Sequence, residues 1–247
     1  MGKYVYDKDY FKTIDTEEKA YWLGFIYADG TITRFYKNND TEKKEIRSMT
    51  LEIALQEGDK SHLEKFRDCL HSDVPIHEKT IRKKYKASRI RINCTSFCKD
   101  LIGLGCVPNK SLILEFPTDE IVPEHLLRHF IRGYFDGDGC IHYSENECYH
   151  KEREKSYLQY SFVASFTGNE QFLKELKKVL EQQNIKVSDL KFDKRSNAVN
   201  IYIHNGNDSL VKLYNYFYKD SNIFLDRKFE KYNDAFNKIE LWKQNKK

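Results

Sequence analysis

Hydrophobic and polar positions follow the same order of patterns in two halves of the chain. Apolar residues recur at helical spacing in SHLEKFRDCL, from Ser61, and again in QFLKELKKVL, from Gln171. Strict alternation, typical of half-buried strands, follows in SRIRIN from Ser88 and in VNIYIH from Val199. The pattern predicts a duplicated fold in which each half reads helix, strands, helix, strands, helix.

A second repeated pattern, rich in small residues, precedes each of these sets. YWLGFIYADGTI covers residues 21–32 and HFIRGYFDGDGCI covers residues 129–141, and they align with an offset of 109 positions. The alignment matches Gly24 with Gly133. Small residues on one helix face allow two helices to cross with their backbones in contact. Each segment therefore predicts a helix whose partner is the other copy.

Each of these helices is predicted to end in an aspartate, Asp29 or Asp138, with glycine just past the C-terminus. The helix dipole repels a carboxylate there, so the acid costs stability unless a cation offsets it. A divalent metal is one such cation, and the terminal carbonyls of Ala28 and Gly137 would add oxygen ligands. A single copy would be better explained as an ordinary Asp-Gly turn. Two copies with identical spacing favour the metal.

Two strands are predicted directly after the first motif, at residues 31–37 and 48–55. In the second of them Met49, Leu51 and Ile53 are expected to face the core. The second copy offers residues 157–166, after the polar insertion YSENECYHKEREKS. That insertion is interpreted as an exposed hairpin or loop.

The halves meet in EFPTDEIVPEH, where Pro117 and Pro123 bracket a short connection. We expect a first half over residues 1–117, a linker over 118–123 and a second half over 124–247. The connection is too short and too apolar for a flexible tether, so the halves are expected to press together.

Composition limits the class of protein more than it identifies it. The chain has 247 residues, 40% hydrophobic content and a net charge of +4, enough for a sizeable core in one or two domains. Its six cysteines show no CxxC spacing, its N-terminus is polar, and its apolar runs fall short of the roughly 18 residues of a membrane span. We interpret it as an intracellular protein with reduced, buried cysteines.

Positive charge is concentrated in one segment. Between Lys79 and Lys99 there are eight basic residues and no acid, which suits a surface lined by phosphates. A solvated basic hairpin is the alternative interpretation, and it is common.

The two small-residue segments resemble the LAGLIDADG motif of homing endonucleases, as WLGFIYADG at residues 22–30 and IRGYFDGDG at residues 131–139. In that family the second acid of the motif binds the catalytic metal, and its positions here are Asp29 and Asp138. The resemblance covers nearly the whole chain. It implies an α+β fold of two pseudo-symmetric αββαββα halves, which form a saddle-shaped antiparallel sheet over DNA with the motif helices at the centre.

One departure from the family pattern lies at the first acid of the motif. Tyr27 stands there in the first copy, whereas the second copy keeps Asp136. Because the later acid is the metal ligand, Tyr27 does not by itself indicate an inactive site.

The resemblance also implies an activity, site-specific cleavage of double-stranded DNA by a chain that works as a monomer on a long pseudo-palindromic target. Mg²⁺ would be the cofactor, with Mn²⁺ able to substitute and Ca²⁺ supporting binding without cleavage. No membrane and no obligate protein partner is expected. The catalytic candidates are Asp29 and Asp138, the lysines Lys110 in VPNKS and Lys228 in LDRK, and Gln56 as a residue that orients water.

The outward strand faces carry residues suited to reading bases. Arginine and asparagine make bidentate contacts with guanine and adenine edges, although any solvent-facing strand is polar. The candidate DNA-contacting residues are Thr33, Lys37, Ser48, Thr50, Lys79, Arg82, Lys83, Lys84, Lys86, Arg89, Arg91, Asn93, Lys191, Lys194, Arg195, Asn200, Tyr202 and His204.

Three other interpretations compete with cleavage. FDGDGC resembles the DxDG of aspartate-nucleophile phosphatases, but the residues before it have helical rather than strand spacing. DGDGCIHYSENE resembles a calcium loop, yet Ile141 stands where that loop requires glycine. The serious alternative is a protein of the same fold that binds nucleic acid without cutting it, such as an RNA maturase or a transcription regulator. Retention of both acids and both lysines favours cleavage.

Overall fold

The computed structural model describes residues 4–37, 45–81, 85–108, 110, 113–194, 198–204 and 208–244. In this part of the chain seven α-helices and eight strands follow one another. They are α1 (Glu17–Asp29), β1 (Gly30–Tyr36), β2 (Ile46–Gln56), α2 (Lys60–Cys69), β3 (His77–Ile81), β4 (Tyr85–Asn93), α3 (Thr95–Gly103), α4 (Glu124–Asp138), β5 (Gly139–His150), β6 (Lys155–Gly168), α5 (Glu170–Gln182), β7 (Lys191–Asp193), β8 (Ala198–His204), α6 (Ser209–Tyr218) and α7 (Asp226–Gln244).

The element order confirms the predicted α+β fold with two αββαββα repeats, the second of which is followed by α7. The strands form two four-stranded antiparallel sheets, with strand orders β1-β2-β4-β3 and β5-β6-β8-β7. Each sheet therefore repeats the connectivity of the other, and the duplication read from the sequence extends to topology.

Strand alternation decides which side chains reach the core. In β2, Met49, Leu51 and Ile53 are buried as predicted, and in β4 Ile90 and Ile92 are buried beside them. Intervening residues of both strands point to the opposite face. The same two-residue period buries Ile201 and Ile203 of β8 in the second sheet.

The polar insertion at residues 143–156 is a hairpin, one of the two forms predicted for it. β5 and β6 pair continuously from Gly139 with Phe166 to His150 with Lys155. A 3₁₀ turn over Lys151–Arg153 joins the strands at the tip.

The chain forms two compact units that differ from the two repeats. Unit 1 consists of Met1–Asp138 and Ser221–Asp226, and unit 2 consists of Gly139–Asp220 and Arg227–Lys247. The second motif helix, α4, thus belongs to the same unit as the first, α1. The predicted linker over residues 118–123 separates the two repeats rather than these units. That division of the chain stays a prediction.

The two motif helices of unit 1 cross with their backbones in contact. A Cβ at Gly24 would overlap the carbonyl oxygen of Phe130, and one at Gly133 would overlap the carbonyl oxygen of Tyr21. Only a residue without a side chain fits at either place. The predicted pairing of the two copies through their small residues is therefore observed in unit 1.

Gly30 lies just past the C-terminus of α1, as predicted, but its backbone conformation is not the usual one for that position. It was expected to end the helix as a typical C-terminal glycine, which usually adopts a left-handed conformation. Its backbone is instead extended, with φ −75° and ψ 142°, and it begins β1 directly. A Cβ there would lie 2.6 Å from Cγ2 of Ile26 and 2.8 Å from the Ile26 carbonyl oxygen. Lack of space explains this glycine.

The cysteines were predicted to be free and buried, and the second half of that prediction was wrong for most of them. All six are free thiols, but only Cys98 and Cys106 are buried, while Cys140 is exposed. Burial raises the pKa of the Cys98 thiol to about 12. Among the described residues, the helices are all too short or too polar to cross a membrane.

Helix α7 was missed by the sequence analysis, which assigned only Lys228 within it. Its aromatic residues pack against Tyr214 of α6, with ring centroids 4.3 Å away for Phe236 and 5.5 Å for Tyr232. The signal was present, because Phe229, Tyr232 and Phe236 recur at helical spacing.

The helix crossing predicts a strong asymmetry between two glycine substitutions. Gly133→Ala should destabilise unit 1 by about 3 kcal/mol or more, because the added methyl group must push a backbone carbonyl aside. Gly103, at the end of α3, has no atom within 4 Å of its would-be Cβ. Gly103→Ala should therefore be neutral or stabilising by up to about 1 kcal/mol. Urea unfolding of both variants measures the contrast, and equal midpoints would contradict the backbone contact.

Candidate active site and nucleic-acid interface

The ends of the two motif helices lie side by side in unit 1. The Cβ of Ala28 occupies the space that a side chain at Gly137 would need, and a Cβ at Gly137 would lie 3.5 Å from Oδ2 of Asp29. Asp29 is half-buried and Asp138 is exposed. The crossing of α1 and α4 therefore brings the carboxylate of one motif to the end of the other.

Lys110 lies at the same place. Its Nζ donates a hydrogen bond to the carbonyl oxygen of Gly30, the residue after Asp29. Burial lowers the pKa of the Lys110 ammonium, while the nearby Cys106, Asp138 and Asp29 raise it. The bond of Lys110 to the residue after Asp29, and the closeness of Asp29 to the end of α4, bring three sequence-predicted residues to one centre.

Lys228 makes the corresponding contact in unit 2. Its Nζ donates to the carbonyl oxygen of Gly139 at 2.6 Å, and only 7% of the residue is exposed. Each motif is thus followed by a glycine whose carbonyl accepts from a lysine. Neither lysine is an ordinary surface residue, and the shared contact supports their assignment as equivalents.

Gln56 ends β2 and is exposed. Its Nε2 donates to Oδ2 of Asp59 at 3.0 Å. In the second repeat Asn169 caps α5, because its side chain accepts from the Phe172 N–H at 2.9 Å. The two residues therefore have different roles in the fold, and the water-orienting role of Gln56 stays a prediction.

The first-acid positions of the two motifs, Tyr27 and Asp136, both tie a motif helix to a connecting segment. The Tyr27 hydroxyl donates to the carbonyl oxygen of Leu104. Asp136, which is buried, accepts from the Leu225 N–H at 2.7 Å and from the Tyr21 hydroxyl at 2.6 Å. The first motif thus has a hydrogen-bond donor, Tyr27, that binds a backbone carbonyl. The second motif has an acceptor, Asp136, that binds a backbone N–H.

Gly105 completes the contact of Tyr27. Its backbone has φ +97°, a conformation that favours glycine, and a Cβ there would overlap the Tyr27 hydroxyl. Tyr27 therefore has a specific packing site of its own. Its presence in place of the first acid changes a structural contact of the motif helix.

A buried charged cluster beside the motif helices escaped the sequence analysis. Arg132 of α4 is fully buried, and its Nη2 donates to Oε1 of Glu17 at 2.7 Å. Its Nη1 lies 2.9 Å from Nδ1 of His129. The pKa of His129 is lowered to about 4, mainly by burial and secondly by the adjacent positive charge of Arg132. The negative charge of Glu17 opposes this shift. Arg132 and His129 sit within the apolar pattern of α4, so the sequence offered no signal beyond polar residues on a buried face.

A metal at this centre would depend on few protein ligands. Among the described residues, no three His, Cys, Asp or Glu side chains cluster as a metal site. Two carboxylates and helix-end carbonyls are hard oxygen donors, and Mg²⁺ commonly uses one or two carboxylates with waters and phosphates for the rest. The donor chemistry fits Mg²⁺ in the presence of a phosphate substrate.

The outward face of the first sheet carries the predicted row of Arg89, Arg91 and Asn93, none of them buried. A feature not foreseen is that Glu52 of β2, directly opposite Arg91, pairs with both arginines. Thr50 is only 9% exposed, since it lies between Thr33 and Asn93 on the neighbouring strands. A groove across β1, β2 and β4 is lined by Thr33, Thr50, Glu52, Arg91 and Asn93.

Two other predicted DNA-contacting cations, next to this sheet, have acidic partners. Lys37 pairs with Glu45 at 2.6 Å and Lys86 with Glu57 at 3.4 Å, all four of them exposed. Exposed pairs contribute up to about 1 kcal/mol, so a phosphate can replace the acid. Ser48 is half-buried and Lys79 is exposed. Arg82, Lys83, Lys84 and Arg195 lie outside the described residues.

The second sheet presents Asn200, Tyr202 and His204 on one face of β8, as predicted. The rings of Tyr202 and His204 stack with centroids 6.3 Å apart, and the Lys191 ammonium lies 5.6 Å from the Tyr202 ring centre. Asn200 Oδ1 accepts from the Thr167 hydroxyl at 2.7 Å. Lys194 is exposed just after β7. Two ring faces and two lysines suit contacts with a nucleic acid, which stay a prediction.

Residues 131–239 match the model of the LAGLIDADG endonuclease family, and residues 1–130 repeat the motif and the strand connectivity. This match covers the second repeat and less than half of the chain. A comparison with curated protein sequences finds no match.

Solved LAGLIDADG structures share the fold over nearly the full length of both chains. I-SmaMI bound to cleaved DNA is 15% identical, with TM-score 0.64 and coverage of 95% of this chain and 91% of that one. I-AabMI bound to uncleaved DNA is 16% identical, with TM-score 0.61 and coverage of 91% of both. I-LtrWI bound to target DNA is 12% identical, with TM-score 0.60 and coverage of 96% and 92%. At these identities the similarity establishes the fold alone.

The lowered pKa of His129 predicts that the protein loses stability in acid. The folded state keeps the ring neutral down to about pH 4, whereas the unfolded state takes up a proton near its ordinary value of 6.5. Stability is therefore lost as the pH falls below 6.5, by about 2 kcal/mol between pH 7 and pH 5.

His129→Gln should remove that part of the pH dependence, while the exposed His77→Gln should keep it. Unfolding free energies of the three proteins at pH 7 and pH 5 make the comparison. Parallel losses in wild type and His129→Gln would contradict a buried, neutral His129.

Proposed function

We propose that the chain is a site-specific double-strand DNA endonuclease of the homing type. The observation that carries the proposal is the meeting of Asp29, Asp138 and Lys110 at the ends of two crossing helices. Paired acids beside a cation are the groups that phosphodiester hydrolysis requires.

Asp29 and Asp138, with the carbonyls of Ala28 and Gly137, would hold Mg²⁺. When bound, the metal supplies polarisation of the scissile phosphate and activation of the attacking water. The carboxylates themselves fix where the ion and the phosphate meet. Mn²⁺ is expected to substitute. I-SmaMI has been crystallised with an uncleaved target in the presence of calcium ions, which supports Ca²⁺ as an ion that permits binding without cleavage.

The two lysines supply fixed positive charge to the transition state. An ammonium group has three N–H donors, so a hydrogen bond to Gly30 or Gly139 holds Lys110 or Lys228 in place while its charge acts on the phosphate. We assign Lys110 to one half-site and Lys228 to the other, each serving one DNA strand. Gln56 is proposed to orient the water of the first half-site.

DNA is the proposed partner, bound along the outward faces of both sheets. One chain contains both motif helices, so a monomer would suffice for a long pseudo-palindromic duplex. The relatives I-SmaMI, I-AabMI and I-LtrWI were solved with DNA, which supports the same partner here. No protein partner is required by this arrangement.

Cleavage of a randomised duplex library in Mg²⁺, followed by sequencing of the ends, tests the proposal. It should return one long site cut on both strands. Stable binding of a specific duplex without ends would favour the regulator or maturase alternative and refute the endonuclease.

The paired acids predict a separation of binding from chemistry. Asp29→Asn and Asp138→Asn should each abolish double-strand cleavage of the recovered site and leave binding largely intact, because they remove a metal ligand and also reduce repulsion of the phosphates. The exposed Asp119→Asn serves as the control and should cut normally. Double-strand cleavage by either site variant near the wild-type rate would place the active site elsewhere.

The strand face predicts different effects for arginine and lysine. Arg91→Ala should relax the preference at one or two base pairs, at a cost of about 1–3 kcal/mol of discrimination. Neutralising Lys83, Lys84 and Lys86 together should weaken binding to every duplex and reduce the salt dependence by about one unit of slope per lost contact. Cleavage-site profiles and salt titrations separate the two. An unchanged profile for Arg91→Ala would exclude this face from base reading.

A further inference from the structure

The segment Ser221–Asp226, which we call the strap, links two helices of unit 2 but belongs to unit 1. It follows α6 and leads directly into α7, where Lys228 lies two residues beyond its end. Connecting segments are usually held loosely at the surface. This one is held at every residue from 222 to 226 by a charged side chain of unit 1.

Two of these contacts come from buried residues of α4. Arg132 Nε donates to the carbonyl oxygen of Ile223 at 2.9 Å, and Asp136 Oδ2 accepts from the Leu225 N–H at 2.7 Å. Both side chains bind the backbone, so they fix the path of the strap whatever its side chains are. Ile223 and Leu225 are themselves buried between these contacts.

The other contacts come from α1 and α2. Glu17 Oε1 accepts from the Asn222 N–H at 2.8 Å. Lys65 Nζ donates to the Phe224 carbonyl oxygen at 3.2 Å and to Oδ1 of Asp226 at 2.6 Å. Asp226 is the first residue of α7, so Lys65 holds the start of the helix that carries Lys228.

The cost of this arrangement argues for a purpose beyond connection. Removing a charge from water costs several kcal/mol unless its partners are well placed, and Arg132 and Asp136 are buried. Apolar residues would attach a loop at lower cost. Directional contacts to successive backbone groups give accurate placement instead, and accurate placement matters for a residue that meets a reacting phosphate.

We propose that the strap is a positioning device for Lys228, with Lys65, Arg132 and Asp136 as its positioning residues. This inference rests on the proposed function, in which Lys110 and Lys228 serve different DNA strands. Lys110 is reached by a different segment, whose Leu104 is tied to Tyr27. Loss of a strap contact should therefore slow the cut of one strand only.

Lys65→Met is the variant to test. Lys65 and its partner Asp226 are both partly exposed, so the substitution does not leave a buried charge without a partner. Single-turnover cleavage of the recovered duplex, with each strand carrying its own end label, follows the two cuts separately. Lys65→Met should slow the cutting of one strand by about 10- to 100-fold. This should be the same strand whose cutting is slowed by Lys228→Met. The strand slowed by Lys110→Met should be cut normally, so nicked duplex should accumulate. Lys65→Arg should restore the cut.

The matched control is Lys60→Met on the same helix, which breaks only the exposed pair of Lys60 with Glu78. It should cut both strands at wild-type rates. Equal slowing of both strands by Lys65→Met, or wild-type rates on both, would overturn the role of the strap while leaving the endonuclease intact. Wild-type protein that cuts no duplex would refute the proposed function and this inference with it.

Discussion

The contact of α1 with α4 at Gly24 and Gly133 is the constraint on which the rest of unit 1 depends. Two helices that touch through their backbones have almost no freedom to slide or rotate, since any shift brings a carbonyl oxygen against a Cα. The contact therefore also fixes the positions of the aspartates at the ends of the two helices. An active site assembled from two copies needs a fixed relation between them, and the glycines supply it without a ligand.

The charges around the motif ends show how acids are tolerated where the helix dipole opposes them. From the sequence alone, a metal was the expected offsetting cation. Lys110 already provides one, because its ammonium group binds the Gly30 carbonyl and lies within the influence of both aspartates. A cation at a helix C-terminus is favourable. The site is thus organised without an ion or a phosphate, which is the preorganisation that the proposed cleavage would require.

Periodicity and duplication predicted the elements of the two repeats, the core faces of β2 and β4 and the crossing of the motif helices, because each depends on local spacing. Helix α7, which follows the second repeat, was not predicted. Contacts between distant residues left no such trace. The pairing of Glu52 with Arg89 and Arg91 depends on strand register. Arg132 was hidden in the apolar pattern of α4. Gly30 was predicted from its place after the helix, and its crowding against Ile26 could not be read from the sequence.

Tyr27 and Asp136 carry a consequence for how the two copies diverged. Because one donates to a carbonyl and the other accepts from an N–H, the two residues are not interchangeable despite their equivalent positions. An acid restored at position 27 would face the Leu104 carbonyl oxygen and leave a gap beside Gly105. A tyrosine at position 136 would have to fit its ring into the buried site of the much smaller Asp136. Each residue matches the backbone group that it binds. A single substitution at either position therefore cannot make the two copies alike without losing a contact.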